Sequence, residues 1–87
     1  MSALSGVAAW FRRVFGGTGR VIKEVFGEVF VPALREVQRS GAKTDEERRE
    51  IVKDLVVGYL SIRFPAYAWL ADTITDAVFD AVRRRLK

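Results

Sequence analysis

Apolar side chains recur every three or four positions along most of the chain, and nowhere do they alternate over a convincing run. This spacing predicts helices rather than strands. Leu4, Val7, Ala8, Phe11, Val14 and Phe15 share one helical face, so a first helix is expected over residues 3–15, with Ser2 as its N-cap. Gly16-Gly17-Thr18-Gly19 follows, and three glycines in four residues predict a break there. A second helix is expected over 18–39. Its main stripe is Ile22, Val25, Phe26, Val29, Ala33 and Val37, and Phe30, Val31 and Leu34 widen it past half the circumference. A helix so apolar should be contacted on more than one side. Pro32 removes a backbone donor and crowds the preceding turn, which predicts a kink near residues 30–32. Ser40-Gly41 ends the helix, with glycine suited to a left-handed cap.

The sharpest local signal comes next. Thr44-Asp45-Glu46-Glu47 matches a capping box, in which the threonine hydroxyl accepts from the Glu47 backbone N–H and the glutamate reaches back. Its acids also suit a helix N-terminus. Ile51, Val52, Leu55, Val56, Tyr59 and Leu60 continue the pattern to about residue 63, where Pro65 biases Phe64 away from helical geometry. Leu70, Ile74, Ala77, Val78, Ala81, Val82 and Leu86 mark a fourth helix within 65–87. It starts either at Pro65 or later, with Asp72 as cap. The reading is an all-α single domain: a small bundle of three to four helices, divided as 1–17 (amphipathic and peripheral to the rest), 18–41, 44–63 and 65–87.

Composition changes this picture in one respect. A chain of 87 residues buries only about 60% of its unfolded surface. Yet 49% of its residues are hydrophobic and 11% aromatic. Four short helices are expected to leave part of that apolar surface for a partner. There is neither Cys nor His, which removes disulfides, the usual zinc ligands, thiol nucleophiles and the side chain best suited to proton transfer near neutral pH. No metal, cofactor or catalytic group is expected, and the chain reads as a binding protein rather than an enzyme.

The net charge of +4 lies in the N-terminal half. Residues 1–43 hold seven bases (Arg12, Arg13, Arg20, Lys23, Arg35, Arg39, Lys43) and three acids (Glu24, Glu28, Glu36), a difference of 7 − 3 = +4. Arg12 and Arg13 interrupt the first apolar run before it resembles a secretory signal. Arg63 and Pro65 interrupt the other weakly charged stretch, 55–71, before it reaches the roughly 20 apolar residues of a span. A soluble or interfacial chain is expected.

Three constellations suggest contact. Trp10, Phe11 and Phe15 beside Arg12, Arg13 and Arg20 have the make-up of a helix lying on a lipid surface, or of an ordinary amphipathic helix packed on its own domain. Arg83, Arg84 and Arg85 complement the last helix dipole, or touch phosphates. Tyr67 and Trp69 sit in an uncharged run that is either an exposed contact loop or a core-lining turn. Asp72, Asp76 and Asp80 align at four-residue spacing, which suits a hard cation and, far more commonly, a solvated face. The candidate partner- or membrane-binding residues are therefore Leu4, Val7, Trp10, Phe11, Val14, Phe15, Phe26, Phe30 and Trp69. The candidate basic patch is Arg12, Arg13, Arg20, Arg83, Arg84 and Arg85.

From Thr44-Asp45-Glu46-Glu47-Arg48-Arg49-Glu50-Ile51-Val52 through Leu55, Tyr59 and Leu60 to Ile74, Ala77, Val78, Asp80, Ala81 and Val82, the C-terminal half resembles the cytoplasmic helical tail of small phage holins of the LL-H type. That family carries an N-terminal transmembrane helix, where this chain has an amphipathic stretch with arginines. The resemblance implies a phage or mobile-element origin and a helical module that associates with itself or with a membrane. Taken with the apolar excess, it favours a homo-oligomer or a structural partner. A peripheral membrane protein is the alternative, and a nucleic-acid binder comes third because no helix-turn-helix signature is present.

Overall fold

The computed structural model describes residues 2–86, and the side chains of residues 18–86. Three α-helices and one 3₁₀ segment follow in order: α1 (Ser2–Ser40), α2 (Asp45–Arg63), the 3₁₀ segment (Pro65–Leu70) and α3 (Ala71–Leu86). The chain runs up α1, down α2 and up α3, and all three helices pack on one another. The expected all-helical bundle is what the chain forms.

The core has one valine-rich seam from each helix. Val21, Val25, Val29, Ala33 and Val37 of α1 are buried against Val52, Val56 and Leu60 of α2 and Ile74, Val78 and Val82 of α3, with Leu70 closing one end. Eight of these twelve residues are valines, whose short branched side chains let helix axes approach closely. The aromatic rings are displaced to the margins. Phe26 and Phe30 stack on each other at 5.6 Å and are half-buried beside the core.

The expected break at Gly16-Gly17-Thr18-Gly19 is corrected: this run lies inside α1, and the segments expected over 3–15 and 18–39 are one 39-residue helix. Each glycine costs a helix about 1 kcal/mol. Stopping costs more than the local pattern suggests, because each new terminus orphans four backbone groups and a second helix must be nucleated. Thr18, within the run, is only 5% exposed, and Val21 one turn on is in the core. Packing of the helix body thus outweighs the local glycine penalty. Pro32 also lies inside α1, exposed to solvent, and the helix continues past it to Ser40.

Gly41 has φ +71°, the left-handed conformation expected after the helix, while the Ser40 hydroxyl donates to the Val37 carbonyl. The capping box forms as read, with one change. Thr44 Oγ1 accepts from the Glu47 N–H at 3.1 Å, whereas the Glu47 carboxylate accepts from the Lys43 N–H at 3.4 Å rather than from the threonine itself. Phe64 leaves helical geometry before Pro65, as expected. The fourth segment then divides in a way neither proposed start describes. Pro65 opens a 3₁₀ turn, Tyr67 interrupts it with φ −110° and ψ 18°, and α3 begins at Ala71 with Asp72 in its first turn. Thr75 is the polar outlier of the core: fully buried, its hydroxyl has no partner, an arrangement that costs about 1–3 kcal/mol.

Two glycines behave oppositely. A methyl group at Gly58, in the body of α2, meets nothing within 4 Å. Gly58→Ala is expected to raise stability by about 0.5–1 kcal/mol in urea melts, and Gly41→Ala to lower it by about 1 kcal/mol through its positive φ.

Candidate interaction surfaces

The α2–α3 interface is bordered by a ladder of opposite charges. Asp45, Arg49 and Lys53, four residues apart on α2, face Arg83, Asp76 and Asp72 of α3 at 3.8, 2.9 and 3.8 Å. Arg49 is the best engaged: its Nε and Nη2 both donate to Asp76 Oδ1, which raises the pKa of its guanidinium. Because the order of signs on α2 matches α3 only when the helices run in opposite directions, the ladder favours the observed pairing. Asp80 is matched within its own helix by Arg84 at 3.0 Å. The three aspartates are thus each tied to a base. Among the described residues no group of three or more potential ligands could hold a metal ion.

The candidate basic residues do not form one patch. Arg83, Arg84 and Arg85 lie at the end of the bundle where α2 begins, beside Asp45. Arg20 lies toward the opposite end, one turn from Glu24, which meets Arg63 at 3.9 Å and accepts from the Tyr59 hydroxyl at 3.4 Å. About 30 Å of helix separates Arg20 from the end of α1. Arg12 and Arg13 fall outside the described side chains, as do Leu4, Val7, Trp10, Phe11, Val14 and Phe15.

The remaining apolar candidates divide. Phe26 and Phe30 spend part of their surface on the core of their own chain. Trp69 is 64% exposed. The uncharged run around it lines the core at one residue and is exposed at another: Leu70 enters the core, and Tyr67 sits edge-on to Phe64 at 6.4 Å, while the indole stays outside. Ile62, 82% exposed on the last turn of α2, was not among the candidates. Its signal was its absence from the Ile51–Leu60 stripe, immediately before a helix end. Val31 and Val57, 47% and 40% exposed, complete the outward-facing large apolar residues of the helix bodies.

A shallow groove between α1 and α2 is lined by Val29, Pro32, Leu55, Gly58 and Tyr59, with Glu28 and Asp54 beside them. No helix among the described residues is long and apolar enough to cross a membrane. No protein family, characterised protein or solved structure matches the chain.

A double-mutant cycle on Arg49→Ala and Asp76→Ala tests the ladder. Both groups are substantially exposed, so their coupling is expected to be small and to shrink as salt is added, read from urea midpoints.

Proposed function

We propose that this chain is a small non-enzymatic helical protein of phage type that acts by self-association or by docking on a structural partner, using the N-terminal half of α1. The observation that carries this reading is a mismatch of helix lengths. α1 has 39 residues, against 19 in α2 and 16 in α3. At 1.5 Å per residue these are about 58, 28 and 24 Å. The apolar positions of α1 continue from Val37 back through Val21 to Val14, Phe11, Val7 and Leu4 in the sequence. The two shorter helices cover the C-terminal part of that series. A second copy supplies the apolar surface that they are too short to provide. A bend of α1 at Pro32, where the ring displaces the hydrogen bond to the Glu28 carbonyl, belongs to the same proposal. So does a phage or mobile-element origin, supported by the resemblance of the C-terminal half to holin tails.

Sedimentation equilibrium tests the reading. The full chain is expected to be a dimer or larger at micromolar concentration. Phe11→Ser with Val14→Ser is expected to shift it toward monomer with the helical content of the bundle retained. A wild-type chain that stays monomeric at high concentration contradicts the proposal.

A further inference from the structure

We propose that the 3₁₀ end of the bundle is a docking surface for anionic lipid. Three features meet at this end. Ile62, on the last turn of α2, and Trp69, in the 3₁₀ segment, are the two most exposed large apolar side chains among the described residues. Arg63 is 63% exposed and reaches Glu24 of α1, which fixes this end of α2 beside the stretch of α1 that carries the exposed Arg20 and Lys23. Tyr67 packs edge-on to Phe64 at the same end.

The chemistry of the set selects the partner. An indole and a branched aliphatic side chain give up water readily, and an indole sits well at the level of lipid headgroups. Arginine and lysine beside them keep their charges at the phosphates while their stems lie on the apolar layer. Two acids of this end are engaged, Glu24 by Arg63 and Tyr59, and Asp72 by Lys53, while Glu28 lies one turn further along α1, beside the groove with Gly58 and Tyr59. Upstream, the sequence contains no acid before Glu24, while it adds Arg12 and Arg13. The other end of the bundle has the opposite character, with Asp45, Glu46 and Glu47 exposed among its arginines. An anionic, laterally fluid surface fits the first end and is repelled by part of the second. The apolar residues of this surface, Ile62 and Trp69, lie outside the stretch of α1 used in the self-association reading, and the surface stands without that reading.

Vesicle flotation of the full chain tests the assignment, with phosphatidylcholine vesicles compared with vesicles that also contain phosphatidylglycerol. Binding is expected to the anionic vesicles alone and to weaken as salt rises. Arg20→Gln with Lys23→Gln and Arg63→Gln is expected to weaken it on the order of a hundredfold. Ile62→Ser with Trp69→Ser is expected to weaken it at least about tenfold. Arg83→Gln with Arg84→Gln and Arg85→Gln is expected to leave it within about twofold. In a Trp10→Phe background the emission of Trp69 is expected to shift to the blue on anionic vesicles. Unchanged flotation of the Ile62/Trp69 variant, with circular dichroism showing it folded, overturns the proposal. So does loss of self-association in that variant, which makes this end a protein interface. Sedimentation without lipid reports separately on the self-association reading.

Discussion

The burial of Val25, Val29 and Ala33 among Val52, Val56, Leu60, Ile74, Val78 and Val82 is the interaction on which the rest of the structure depends. Small β-branched residues bring three helices close together and leave no room for large rings, so the aromatics collect at the margins and ends. Two consequences follow. The helices that share the core differ twofold in length, and the bulkiest apolar groups of the described region, Trp69 above all, remain in contact with water. A chain this short has few ways to hide such groups.

The charges are organised around that core rather than into a site. Along α2 and α3 the ladder of Asp45, Arg49 and Lys53 against Arg83, Asp76 and Asp72 borders the packing, and its exposed pairs contribute more to orientation than to stability. It also occupies part of the basic cluster that phosphate contact would require. With Arg20 at the far end, the structure offers no continuous cationic stripe among the described residues. The bundle instead has two unlike ends: both carry ion pairs, but the exposed Ile62 and Trp69 gather at the one where α2 ends.

Much of this was legible in the residue pattern because it is local. The α2 boundaries follow from Thr44 and Pro65, whose hydrogen-bonding and steric effects act within one turn. The core positions follow from periodicity, which a buried helix face must keep. The glycine run misled for the opposite reason: its cost is local, but the benefit of one continuous helix is collected at Val21, Val25 and beyond. Charge pairing across α2 and α3 was hidden because the spacing of charges on one helix does not say which helix it will meet. The Asp72–Asp76–Asp80 row is visible on its own helix, but Arg49 and Lys53 opposite it are not. The exposure of Ile62 is not legible in the pattern, because exposure at a helix end depends on where the next segment turns, and the 3₁₀ geometry at Tyr67 carries no strong sequence signature.

The central claim is that α1 outruns the helices available to cover it within one chain. Amide hydrogen exchange, followed residue by residue along α1 at several protein concentrations, addresses it most directly. The account predicts that amides around Val25 and Val29 are protected at every concentration, while those of residues 4–15 gain protection as concentration rises. Strong protection of residues 4–15 that is the same in dilute and concentrated solution would show that a single chain covers its own long helix, and would contradict the account.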